Sequence, residues 1–117
     1  MLPTTARLRR SSDFAAALKY GSKIRRGAVV VHVMTPNTDG GESRAGFIVS
    51  KAVGGAVTRN LVKRRLRHIV ADRMATFTPG TDIVVRALPF ASEVDYHRLE
   101  RDVEGAFRAL AERGRRP

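Results

Sequence analysis

The 117-residue chain contains no cysteine. That excludes a disulfide framework and any thiolate metal site, and it suits a reducing compartment. No apolar run approaches the length needed to cross a bilayer. The opening MLPTTARLRRSSDF lacks the long apolar core of a secretion signal. The expectation is a cytoplasmic protein with no membrane partner. Acidic residues are scarce: 11 Asp plus Glu stand against 22 Lys plus Arg, a formal net charge of +11. The aspartates at 13, 39, 72, 82, 95 and 102 are scattered, without the pairing a two-metal nuclease needs. His32, His68 and His97 fall in three separate segments, without metal-ligand spacing. No internal repeat is present. The sequence therefore offers no protein-only catalytic constellation. The positive excess points to a polyanionic partner, and its spread over several segments favours nucleic acid over a membrane surface.

What the chain does contain is enough for one folded domain. Apolar residues make up 43 %, and the length suits a single unit over 1–117. Its core is expected at about 7–111, with a mobile basic arm before it and a short mobile tail, GRRP, after it. Residues 12–20, SDFAAALKY, predict a helix capped by Ser12 and stopped at Gly21, with Phe14, Ala17 and Leu18 on one face. Residues 28–34 are valine-rich and predict a strand; residues 44–50, RAGFIVS, predict a second. The polar link TPNTDGGES between them favours a hairpin. Residues 81–88, TDIVVRAL, predict a third strand. From about Asp95 to Ala111 a helix is expected, with Leu99, Val103, Ala106, Phe107 and Leu110 as its apolar stripe. Asp95 caps it, alone or in a box with Ser92. The predicted order is helix, strand, strand, helix, strand, helix, an α+β domain.

The remaining helix carries the charge. RNLVKRRLRHI at 59–69 holds Arg59, Lys63, Arg64, Arg65 and Arg67 within nine residues. On a helix over about 56–73, Val62, Leu66, Ile69 and Val70 share one arc about 100° wide, enough to bury against a sheet. Asn60, Lys63, Arg64, Arg67 and His68 lie opposite, with Arg59 and Arg65 flanking. Leu61 is stranded among the charges. Clustered like charges on a helix repel unless something neutralises them. Arginines can grip phosphates with two bonds at once, and the Asn60 amide can donate and accept towards a base or ribose. Lys51 sits just ahead, with Gly54 and Gly55 allowing a tight turn. The glycine pair lacks the Lys–Ser/Thr end of a nucleotide-binding loop.

VSKAVGGAVTRNLVKRRLRHI resembles the signature of the bacterial ribonuclease P protein component. The matching residues are Ser50, Lys51, Gly54, Ala56, Val57, Arg59, Asn60, Lys63 and Arg64, with Arg67 beyond. RLRRSSDFAAALKYG resembles the family's opening and DIVVRALPFAS its later strand, so the likeness runs from about Arg7 to Leu110. The resemblance implies the fold of ribosomal protein S5 domain 2, with a left-handed strand–helix–strand crossover, against the usual rule. It also implies a protein subunit that binds a catalytic RNA and the 5′ leader of precursor tRNA, and supports hydrolysis of one phosphodiester. The RNA and its Mg²⁺ would carry the chemistry, so the protein alone would be inactive. No obligate protein partner is implied. The sequence departs from the family pattern at Leu61, Gly55, Ala52, Leu18 and Leu88, where Arg, Asn, Lys, an aromatic and a base are common; Arg86 precedes Leu88 by two on the same face.

On this reading Lys51, Arg59, Asn60, Lys63, Arg64, Arg65, Arg67 and His68 bind RNA, while Phe14, Leu18, His32 and Arg86 line the leader cleft. By residue type alone Phe14 favours the core, and the resemblance reverses that by placing it in the cleft. His32, on the strand face shared with Val30 and Met34, is either a leader contact or a plain surface histidine. Tyr20 stacks on RNA or packs near Gly21. The main alternative is a structural RNA-binding protein of ribosomal type, which shares the size and charge. A DNA regulator is disfavoured because a strand, not a helix, precedes the basic helix. A free-standing nuclease lacks its catalytic groups.

Overall fold

A computed structural model describes Leu2 and residues 6–37 and 41–115, with the side chains of 114 and 115 left aside. The centre of the polar 35–43 link, including Asp39, and the end of GRRP lie outside these residues. The elements run α1 (Ser11–Tyr20), β1 (Ser22–Arg26), β2 (Val29–Met34), β3 (Arg44–Ile48), α2 (Ala56–Ala71), β4 (Asp82–Ala87) and α3 (Tyr96–Arg115). One sheet takes the order β1-β2-β4-β3. Its β1–β2 and β2–β4 pairs are antiparallel; β3–β4 is parallel. The α+β class holds, and the predicted order is corrected by one extra strand.

β1 escapes a hydrophobic reading because it is an edge strand. Only Ile24 in SKIRR is partly buried; its four neighbours are exposed and three of those are basic. Such charge blunts an open edge against pairing with other chains. The expected hairpin between β2 and β3 does not form. β4 enters between them, parallel to β3 as a helical crossover permits. The tight hairpin is β1–β2, turning at Gly27 and Ala28. Gly27 sits at φ +52°, where a side chain is strained.

Alternation along each strand sorts the two faces. Val29, Val31, Ile83, Val85 and Ala45 pack with the α2 arc Val62, Leu66, Ile69 and Val70, and with Leu99, Val103 and Ala106 of α3. Phe107 and Leu110 lie partly buried beside them. On the other face, α1 covers Val84 and Met34 through Ala17, Phe14 and Leu18. Before α1, the described residues Leu2, Arg7 and Leu8 make contacts of their own. Leu2 is 1 % and Leu8 6 % exposed, Arg7 bridges Ala45, and the Leu8 amide donates to the Ala45 carbonyl at 2.8 Å. Apolar side chains at positions 2 and 8 give this arm something to bury.

Buried polar groups fasten the layers. Arg44 on β3 donates Nε and Nη2 to the Asp82 carboxylate at 3.0 and 2.8 Å, and Nη1 to Asp13 of α1 at 3.2 Å. Asn37 donates to the same Asp82 at 3.2 Å. Arg73 after α2 donates to Glu100 and Glu104 of α3. Asp95 accepts from the Arg98 amide at 2.8 Å and caps α3 without Ser92. By contrast, α1 begins after Arg10 with no side-chain cap.

Asp102 of α3 accepts from the buried Ala28 amide at 3.0 Å, tying the β1–β2 turn to the last helix. A Cβ on Gly27 would meet this carboxylate at 2.3 Å. Asp102→Ala should therefore cost about 1–3 kcal/mol in urea unfolding, because a buried donor loses its acceptor. Gly27→Ala should also destabilise, and by less in the Asp102→Ala background, where the clash is gone. Additive losses would contradict this contact.

Candidate nucleic-acid interface

α2 presents its charge because its other side is committed to the core. Val62, Leu66, Ile69 and Val70 are each no more than 1 % exposed, as the helical period predicts. Asn60, Arg64 and His68 are exposed; Lys63, Arg65 and Arg67 are half-buried. Lys51 is exposed on the short turn Lys51–Val53 ahead of the helix. Leu61, 36 % exposed, and Val57, 85 % exposed, add apolar surface to the same side. Val57, Asn60, Leu61, Lys63, Arg64 and Arg67 line one open groove of about 510 Å³. Cations to grip phosphate beside aliphatic patches to meet ribose or base describe a surface suited to RNA.

Two members of the predicted set, Arg65 and His68, also contact the segment around the start of α3, and a third, Arg59, is partly buried. Arg65 donates to the Val94 carbonyl at 3.4 Å, so it also ties α2 to the segment before α3. Arg59 is half-buried, and its buried Nε has no partner among the described residues. His68 meets Tyr96 edge-on at 6.1 Å between ring centroids.

The second face is a cleft between α1 and the sheet. Phe14 is half-buried and rests directly on the backbone of β3: a Cβ on Gly46 would lie 2.4 Å from the ring tip. Gly46 has no obvious role in the sequence, yet this close approach requires it. Leu18 is half-buried in the α1 cluster, whereas Tyr20 is 72 % exposed. Beyond α1 the sheet presents Lys23 and Arg25 of β1 and Arg86 of β4, all exposed. The register brings them together, with Arg25 facing Val30 and Val30 facing Arg86. Lys23 and Arg25 were hidden to sequence reasoning because β1 itself was. Arg7, Leu8, Phe14, Ala45, Gly46, Phe47, Lys63 and Arg67 line a groove of about 200 Å³ that joins this cleft to the α2 ridge.

His32 is not a surface histidine. It is 3 % exposed, and neither ring nitrogen has a partner among the described residues. Burial, then the nearby charges of Arg86 and Lys23, lower its pKa below the usual 6.5. It is therefore neutral at pH 7. A lowered folded-state pKa means the unfolded chain binds the proton more readily. Its contribution to stability is intact above pH 6.5 and is lost as pH falls through the folded-state value. The urea midpoint should accordingly drop between pH 7 and 5, and His32→Val should flatten that drop. An equal pH dependence in the variant would contradict the assignment.

Among the described residues no group of three His, Asp or Glu side chains could hold a metal ion, and no helix is long and apolar enough to cross a membrane. The family model described as Ribonuclease P matches residues 2–111. A ribonuclease P protein component from Streptomyces bikiniensis is 52 % identical over 123 residues, covering 99 % of this chain and all of the relative. That of Beutenbergia cavernae is 48 % identical, covering 98 % and 96 %. Among solved structures, the RNase P protein of Staphylococcus aureus superposes with a TM-score of 0.78 at 26 % identity, over 90 % of this chain and 94 % of that one. The Thermotoga maritima protein gives 0.72 at 29 % identity, over 85 % and 92 %. With the signature carried on the outer side of α2 and the match running nearly end to end, this chain belongs to the ribonuclease P protein component family.

Proposed function

We propose that the chain works through two separate surfaces: the α2 ridge on the catalytic RNA, and the α1–sheet cleft on the 5′ leader of precursor tRNA. The family role is tRNA 5′ processing together with an RNA subunit. What carries the assignment of surfaces is the contrast between them. The ridge displays Arg64 and Arg67 with Asn60 on a convex helix, the form that meets a folded RNA backbone. The cleft offers a half-buried aromatic, Phe14, over β3, and the same sheet face carries cations at Lys23, Arg25 and Arg86 beyond α1, which together suit a single strand. His32, neutral and buried, lies beside Lys23 on that face and adds no charge to it.

The parallel β3–α2–β4 unit is the one the S5-like fold requires, and we take its crossover to be left-handed as in that fold. Magnesium would belong with the RNA. Among the described residues no group of three His, Asp or Glu side chains could hold it, so no step is assigned through it, and the protein's part is to bind, orient and relieve repulsion between phosphates. The cytoplasm is the setting we propose.

The test is cleavage of precursor tRNA with and without a bacterial ribonuclease P RNA, at low magnesium. The protein should cut nothing alone and should lower the magnesium requirement of the RNA. Site-specific cleavage by RNA-free protein would contradict the reading.

A further inference from the structure

The groove between the two surfaces has its own chemistry. It is built by four parts of the chain: the segment before α1, α1 itself, edge strand β3, and α2. Three cations reach it, Arg7, Lys63 and Arg67, and no carboxylate lines it. Three like charges brought to one small concavity repel, and the arrangement is favourable only with an anion between them. Lys63 and Arg67 belong to the α2 ridge. Arg7 does not, and neither its type nor its position in the sequence singles it out.

Arg7 is held in place before any ligand arrives. Its backbone forms a parallel bridge with Ala45, and the next residue, Leu8, is buried and bonded to the Ala45 carbonyl. Its Nε donates to the Leu2 carbonyl at 3.3 Å, and Leu2 is itself buried. With Nε so engaged, the two terminal nitrogens stay available for a bidentate contact. The floor of the groove is Gly46, with the tip of Phe14 laid upon it. The space, about 200 Å³, suits one phosphodiester beside the ring rather than a folded RNA element.

We infer that this groove holds a single phosphodiester of the precursor strand, where that strand passes from the α2 side into the cleft, with Arg7 as the positioning residue. The inference rests on the two-surface reading above and adds to it a fixed point. Phe14 would tolerate any base that stacks on it, so stacking alone would let the leader slide. A phosphate clamped by Arg7, Lys63 and Arg67 would set the register of the strand against the RNA subunit, without reading sequence. The source could in principle be the catalytic RNA instead. Phe14 in the same lining favours the substrate strand.

The experiment uses the reconstituted holoenzyme and Arg7→Gln. Glutamine keeps the backbone bridge and can place its amide nitrogen where Nε donates to Leu2, while removing the charge and both terminal nitrogens, and a melting curve checks the fold. Dissociation constants are measured for precursor tRNA with a long leader, for leaderless tRNA, and for long-leader substrates carrying one neutral methylphosphonate at successive linkages. Arg7→Gln should weaken long-leader binding about tenfold, as expected for one charge-assisted contact. It should leave leaderless tRNA and the catalytic RNA unaffected. One methylphosphonate position should weaken the wild type similarly and cost the variant nothing further, and Arg7→Lys should restore part of the loss. Equal loss for leaderless tRNA, weakened binding of the catalytic RNA, no loss at all, or additive losses at every linkage would each overturn the inference. A wild type that senses the leader beside an equally sensitive Arg7→Gln overturns this inference alone. A wild type indifferent to the leader overturns the cleft reading and this inference with it.

Discussion

Everything on the nucleic-acid side of this molecule depends on how α2 is rolled against the sheet. Val62, Leu66, Ile69 and Val70 have to be buried, and fully burying such side chains is worth about 1.5–3 kcal/mol each. That side of the helix cannot turn outward without losing most of the core it shares with β2, β4 and α3. The cations on the other side therefore have no freedom to hide. Their mutual repulsion is a standing cost, accepted because the apolar side outweighs it. The fold holds the ridge open, and an RNA backbone is the kind of partner that relieves the strain.

The cleft is fixed by a different constraint. Asp82 is fully buried and Asp13 nearly so, and each accepts from Arg44. Breaking one member of such a cluster leaves a charge stranded out of water, at a cost of about 3–5 kcal/mol. The cluster joins β4, β3 and α1, so it sets the height of α1 above the sheet. Phe14 then comes to rest on Gly46, and the ring's remaining surface faces the groove with Arg7, Lys63 and Arg67. The two surfaces meet there because β3 is an edge strand, with α1 on one of its faces and α2 on the other.

Much of this was legible in the sequence, and the exceptions have physical causes. The phase of α2 was readable because a 3.6-residue period with four apolar positions admits one orientation. Even Leu61 fell where the wheel put it. β1 was not readable, since a charged edge strand with one apolar residue carries almost no pattern. The strand order was misread because a turn-rich link looks the same whether its ends pair directly or flank a third strand. His32 looked exposed because its alternation with valines gives the face but not what covers it. Asp102 and Gly46 carry no local signal at all; their roles come from chain segments far away in sequence, Asp102 meeting the turn at Ala28 and Gly46 the ring of Phe14. The family likeness pointed to Phe14 and the ridge. The union of the two through Arg7 could only be seen in three dimensions.

The central claim is that ridge and cleft serve different partners and meet only in the groove lined by Arg7, Lys63 and Arg67. The most direct measurement is the affinity for the catalytic RNA across a salt titration, for wild type, Arg64→Ala and Phe14→Ala. Arg64→Ala should bind more weakly and lower the slope of log affinity against log salt by roughly one unit, the signature of one lost phosphate contact. Phe14→Ala should superimpose on the wild type. An Arg64→Ala curve indistinguishable from wild type, or a Phe14→Ala curve shifted as far as that of Arg64→Ala, would contradict the account.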